Sequence, residues 1–123
     1  MNSGECRPVV LVVDDEASVR TTLKILLQLR GFEAILAGSG SEALAAFDRH
    51  RGFRFVITDL SMPGMNGMDL AIALKAKAPR QPVMLLTAYA VQLESDPPPG
   101  IDKVLEKPIS MVKLDEAIEQ VQQ

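Results

Sequence analysis

Short apolar runs alternate with stretches in which apolar residues recur every three or four positions, and this rhythm organises the chain from Pro8 to Val121. The runs are Val9–Val13, Ala34–Ala37, Phe53–Thr58, Val83–Leu86 and Lys103–Leu105, each too short for an ordinary helix. Several lack polar alternation, the pattern of strands covered on both faces in a parallel sheet. Between the first two runs, Val19, Leu23, Leu26, Leu27 and Arg30 follow helical spacing, and Gly31 supplies a closing residue. Ser39 with Glu42 reads as a capping box for a second helix that buries Leu44 and Phe47. A third helix is predicted over Gly67 to Lys77, with Leu70, Ala73, Leu74 and Ala78 on one side and Pro79 beyond its end. Ser110 is placed to cap a last helix whose inner face carries Leu114, Ala117, Ile118 and Val121.

Strand and helix alternating in this way predict an α/β fold, a parallel sheet with helices on both faces. One position in the rhythm is irregular. A helix is due between Tyr89 and Gly100, but Pro97, Pro98 and Pro99 leave room for at most one helical turn over Val91 to Ser95. That element is therefore expected to be shortened or replaced by a Pro-rich loop.

The chain has 123 residues, which predicts one domain with a core over about 8–121 and a flexible tail over 1–7. Apolar residues make up 47% and charged residues 24%, ordinary proportions for a globular protein. A net charge of -3, with pI near 5.1 and no dense basic run, argues against non-specific binding of nucleic acid or anionic membrane. Cys6, the sole cysteine, excludes an internal disulfide and has no adjacent base to activate it. Residues Met1 to Pro8 are polar, and no apolar stretch reaches the roughly 18 residues of a membrane span. A cytoplasmic location is expected.

The chemistry lies at the ends of the strand runs. Asp14 and Asp15 follow the first, Asp59 ends the third and leads into Leu60-Ser61-Met62-Pro63-Gly64, Thr87 ends the fourth, and Lys107-Pro108 follows the fifth. Open α/β sheets bind ligands at the carboxyl ends of their strands. Three carboxylates there form a hard oxygen cluster suited to Mg²⁺, which would also offset their mutual repulsion. Asp59 can serve as nucleophile for a phosphoryl group, with Thr87 hydrogen-bonding one oxygen and Lys107 pairing with another. Taken singly, each residue has a plainer explanation: helix capping for Asp14-Asp15, an Asx-turn for Asp59, strand-end packing for Thr87, a surface turn for Lys107. Independent causes do not explain their order along successive strands. Other candidates fall away: His50 reads as a solvated polar residue, Gly38 and Gly40 lack the third glycine of a dinucleotide fingerprint, and Met62, Met65 and Met68 read as packing of a loop against the third helix.

These residues give the chain a resemblance to the receiver domains of two-component response regulators. It rests on Val10-Leu11-Val12-Val13-Asp14-Asp15-Glu16, on Val56-Ile57-Thr58-Asp59 through Gly67, on Leu85-Leu86-Thr87-Ala88 and on Glu106-Lys107-Pro108. The resemblance implies a flavodoxin-like, doubly wound five-stranded parallel sheet of order 2-1-3-4-5. It implies that Asp59 accepts a phosphoryl group from a histidine kinase or phosphotransfer protein. Mg²⁺ would be bound by Asp15, Asp59 and the carbonyl of Ser61, with Asp14 acting largely through water. Thr87 would be a switch hydroxyl, and Lys107 would contact the phosphoryl group from a cis Lys107-Pro108 peptide.

Two departures from the family pattern stand out. Val104 occupies the position three before Lys107 where the family has an aromatic switch, leaving Tyr89 as the nearby aromatic. The Pro-rich stretch also remodels a face that relatives use for partners. Output is then expected through the Thr87–Gly100 loop and the last helix, or through the first helix, whose Ile25 and Leu29 lie off the inner stripe. Ser61 and Tyr89, two residues beyond Asp59 and Thr87, are expected to tune phosphoryl lifetime. The leading function is a phosphorylation-controlled signalling receiver, stand-alone or the N-terminal domain of a larger regulator, acting on a downstream protein partner or an output domain. One alternative is a phosphorylation-independent interaction module with a decayed switch. Another is an aspartyl-phosphate phosphohydrolase, disfavoured because Ser61 stands where such an enzyme needs a second acid.

Overall fold

The apolar runs become the strands of one parallel sheet in a computed structural model that describes residues 7–50, 52–88, 90, 93 and 96–122. In chain order the elements are β1 (Val9–Val13), α1 (Ala17–Gln28), β2 (Glu33–Ala37), α2 (Gly40–Arg49), β3 (Val56–Asp59), α3 (Gly67–Lys77), β4 (Val83–Thr87), β5 (Lys103–Glu106) and α4 (Met111–Val121). The sheet order is β2-β1-β3-β4-β5, the doubly wound order expected. Expectations for Cys6 and the rest of residues 1–6, for Tyr89 and for most of Val91–Ser95 fall outside the described residues.

The missing polar alternation has a direct cause. Successive strand residues point to opposite faces, and both faces are covered. Leu11, Val13, Val56, Val83, Leu85 and Val104 join the apolar layer that includes Phe47 of α2 and Leu70 and Leu74 of α3. Val10, Val12, Ile57, Met84, Leu86 and Leu105 join the opposite layer with Leu23 and Leu27 of α1 and Leu114 and Ile118 of α4. Each layer also takes an aromatic pair from outside the strands. Phe32 meets Phe55 edge-on at 5.2 Å, and Phe47 stacks on Phe53 at 5.9 Å.

The helix ends follow the chemistry of their caps. The Ser39 side chain accepts the Glu42 N–H, while the Glu42 carboxylate reaches back to the Gly38 N–H. Ser110 likewise accepts the Lys113 N–H, and Asn66, not anticipated as a cap, accepts the Asp69 N–H at 2.8 Å. Gly31 follows α1 with φ of 85°, a left-handed conformation that disfavours a β-carbon.

Several boundaries and faces differ from the sequence pattern. β3 begins at Val56, not Phe53, although the Arg54 N–H and the Phe55 carbonyl already hydrogen-bond β1. On α3 the buried residue is Ala71, while Ala73 is half-buried; on α2, Leu44 is half-buried and Ala43 and Ala46 are fully covered. His50 is half-buried with its ring 4.8 Å from Phe53, so it packs instead of standing free in solvent. Met65 lies against the start of α2: a β-carbon at Gly40 would meet its sulfur at 2.8 Å. Ile25 and Leu29 are exposed, as their off-stripe positions predicted.

The element between β4 and β5 is shortened. Ala90 and Leu93 are helical, and the chain has left the helix by Asp96, immediately before the prolines. The loop then returns across α3, where Gly100 takes φ of 85° beside Ala71. Val104 is 3% exposed and belongs to the same layer as Ala90 and Ile101, so the position lacking an aromatic is occupied by packed core.

Candidate functional site

Parallel register brings the strand ends to one rim. Val13 pairs with Ala37 and Thr58, Asp59 pairs with Leu86, and Thr87 pairs with Glu106. Residues just beyond those ends therefore share a small space, although their positions in the chain are far apart.

Asp14 is the first residue past β1, and its side chain is fully buried. Its N–H donates to the Ala37 carbonyl at 3.1 Å, continuing the ladder to β2. Its Oδ1 accepts the Glu16 N–H at 2.9 Å, which turns the chain into α1. Its Oδ2 is buried without a hydrogen-bond partner among the described residues. Asp15, the next residue, is exposed. Asp59 is 5% exposed at the end of β3.

Lys107 supplies the opposing charge. Its Nζ lies 3.0 Å from Asp59 Oδ1 and 3.4 Å from Asp14 Oδ2. The Lys107 N–H donates to the Thr87 carbonyl at 3.0 Å, anchoring this residue to the end of β4, and the Lys107-Pro108 peptide is cis. Burial lifts the Asp14 carboxyl above its usual range, helped by the charge of Asp59 and opposed by the Glu16 N–H and Lys107. For Lys107, burial favours the neutral amine, but the hydrogen bond to Asp59 and the two carboxylate charges outweigh it, so its pKa is raised.

A cavity of about 420 Å³ is lined by Asp15, Glu16, Asp59, Ser61, Thr87, Ala88 and Lys107. Thr87 is buried at its wall, and Ser61 is exposed at its mouth. Oxygens of Asp14, Asp15 and Asp59 all lie within 4.8 Å of one another. Three carboxylates, one of them carrying the buried Asp14 Oδ2 that lacks a hydrogen-bond partner among the described residues, are a donor set for a hard divalent cation. The residues singled out at the strand ends (Asp14, Asp15, Asp59, Ser61, Thr87 and Lys107) are thus gathered in one place.

Three neighbours have no role at the rim in the sequence reading, although Glu16 and Gly67 lie within its motifs. Glu16 contributes its backbone N–H, Arg20 reaches from α1 to the Asp14 carbonyl with Nη1 at 2.7 Å, and Gly67 underlies Asp59. An arginine one turn into an amphipathic helix reads as solvated, and nothing in the local pattern marks its reach back to a carbonyl six residues earlier.

The response regulator receiver domain profile matches residues 10–119. The sensory transduction protein RegX3 of Mycolicibacterium smegmatis is 41% identical over 85 residues, covering 69% of this chain and 36% of that protein. The DNA-binding response regulator MtrA of Mycobacterium leprae is 37% identical over 114 residues, covering 88% of this chain and 48% of that protein. The chain therefore spans less than half the length of these two relatives. Among solved structures, the response regulator TrrA of Thermotoga maritima in complex with Mg²⁺-BeF superposes with a TM-score of 0.82 at 34% identity, covering 92% of this chain and 97% of that one. A receiver domain from Clostridium thermocellum gives 0.84 at 30% identity, with 93% of each chain covered. Motifs, sheet order and a gathered acidic rim agree with this match: the chain belongs to the response regulator receiver domain family.

Proposed function

We propose that this chain is a phosphorylation-controlled signalling receiver in which Asp59 is the phosphoacceptor. The observation that carries this reading is the placement of the Lys107 ammonium 3.0 Å from Asp59 Oδ1, at the wall of a cavity shared with Asp15, Ser61 and Thr87. A carboxylate oxygen of Asp59 attacks phosphorus, the bond from phosphorus to the donor nitrogen breaks, and the imidazole of a histidine kinase or phosphotransfer protein leaves. Lys107 meets the negative charge of the transferred group, and the Thr87 hydroxyl donates to one of its oxygens. Asp15, Asp59 and the Ser61 carbonyl would hold Mg²⁺, with Asp14 acting through water. Bound there, the cation neutralises charge that builds on the phosphoryl oxygens. Water later hydrolyses the acyl phosphate, so catalysis is confined to the chain's own phosphorylation and dephosphorylation.

The added charge and acceptor oxygens bias the surrounding loops toward one arrangement, and a downstream protein or an output domain reads the change. The same reading places the chain in the cytoplasm with its phosphodonor, with no direct contact to nucleic acid or membrane by the receiver itself. Among the described residues, no helix is long and apolar enough to cross a membrane. Intact-mass measurement after incubation with acetyl phosphate and Mg²⁺ tests the assignment. A phosphate-sized adduct is expected on the wild type and not on Asp59→Asn, and equal yield on both would sink it.

Val104 and the shortened element after β4 favour a second reading, an interaction module that no longer switches. Partner affinity unchanged by Asp59→Asn, in a wild type that does take the adduct, is the result that would select it.

A further inference from the structure

We infer that Arg20 is the positioning residue of the acidic rim, fixing the turn that carries Asp14 and Asp15. This inference rests on the assignment of that rim as a Mg²⁺ and phosphoryl site. The Asp14 peptide unit is held from both sides by groups outside β1. Its N–H goes to the Ala37 carbonyl at 3.1 Å, and its carbonyl receives Arg20 Nη1 at 2.7 Å. The second contact is short and charge-assisted, the stronger class of hydrogen bond. It is made where β1 hands over to α1, so it fixes the direction in which Asp14 and Asp15 leave the sheet. Because Asp15 is exposed and no described hydrogen bond involves its side chain, its position depends on the backbone that carries it.

The opposite wall is shaped to admit the guanidinium. A β-carbon at Gly38 would stand 3.2 Å from Arg20 Nη1 and 3.5 Å from Glu42 Oε1. Glu42 meanwhile holds the Gly38 N–H at 2.8 Å. Glycine at 38 therefore leaves the space that Arg20 occupies, and the cap of α2 holds that loop in place. Helix α1, the β2–α2 loop and the metal-side acids are joined through one side chain that itself lines no part of the cavity.

The test is a Mg²⁺ titration of the isotope-labelled chain, followed by amide shifts of Asp15 and Asp59, with urea unfolding in EDTA run in parallel. Arg20→Met keeps the stem and removes the donor. Its Mg²⁺ dissociation constant is expected to rise about 10-fold, the scale on which groups behind metal ligands act, while the urea midpoint falls only by what one lost hydrogen bond costs. Arg20→Lys should recover part of the affinity. Gly38→Ala removes no charge but crowds Nη1 at 3.2 Å, so the guanidinium must shift by a few tenths of an ångström and a smaller rise in the constant is expected, which keeps the inference open to refutation where Arg20→Met does not fold. Unchanged Mg²⁺ affinity in either variant, or a loss matched by global destabilisation in EDTA, overturns the inference. A wild type that binds no Mg²⁺ overturns instead the assignment of the rim on which it rests.

Discussion

Gly67 lies directly against the backbone carbonyl of Asp59: a β-carbon at position 67 would stand 2.2 Å from that oxygen and 2.9 Å from Leu85 Cδ1. The Gly67 N–H donates to the Leu60 carbonyl at 2.8 Å, so the loop after β3 closes on itself as α3 begins. The Thr58 hydroxyl also donates to the Asp59 carbonyl at 3.0 Å. The position of the proposed phosphoacceptor thus depends on the absence of a side chain eight residues later.

Gly67→Ala is accordingly expected to destabilise the fold by about 3 kcal/mol, since backbone on one side and a buried leucine on the other cannot both give way. Urea unfolding checks the stability. Amide shifts at Asp59 in the folded fraction should move, and a variant as stable as the wild type would show that the contact relaxes without cost.

Asp14 carries the opposite sign. Its raised pKa means that the folded state favours the neutral form, so its contribution is fully present below the unfolded value near 3.8 and is lost as pH rises through the folded value. In EDTA at neutral pH, Asp14→Asn should therefore be more stable than the wild type by about 1 kcal/mol, because Lys107 keeps Asp59 as a partner at 3.0 Å. The advantage should shrink as pH falls. Chemical denaturation at several pH values measures both, and an advantage that grew on acidification would contradict the sign.

Lys107→Met should act the other way, leaving two buried carboxylates with no ammonium between them. A loss of about 2 kcal/mol is expected in EDTA, discounted because the lysine side chain is 24% exposed. Saturating Mg²⁺ should restore part of that stability, as the cation replaces the missing charge. Denaturation midpoints with and without Mg²⁺ decide this, and no recovery would argue that the acids do not share a cation.

Val104→Phe tests whether the core has room for the absent aromatic. The position is 3% exposed within a layer that includes Ala90 and Ile101, so the larger ring is expected to cost about 2 kcal/mol. Gain of stability in thermal unfolding would instead show that the neighbouring segment opens to accept it.

The elements that could be read in advance are those governed by neighbours in the chain. Ser39 and Ser110 cap their helices because a short oxygen finds an N–H three residues on, and Glu42 completes the first cap by reaching back to the Gly38 N–H. Proline before β5 ends helical structure for the same local reason. Faces were less legible. Ala73 and Ala71 are both small and apolar, and only the packing of α3 on the sheet selects Ala71 for burial. Phe53 read as strand because aromatic burial looks the same whether ladder bonds or ring stacking cause it, while the Phe55 carbonyl does bond β1 just ahead of β3.

Alone, the sequence determined the alternation of strands and helices, the rim to which Asp14, Asp15, Asp59, Thr87 and Lys107 belong, and the early stop before Pro97. Each of these rests on periodicity, capping or strand direction. Tertiary structure decided what is joined across the chain: Lys107 to Asp59, Arg20 to the Asp14 carbonyl, and Gly67 beneath Asp59. Such contacts depend on register and on which helix face meets the sheet. Burial energy sets both over the whole core, so no local pattern around an arginine or a glycine records its distant partner.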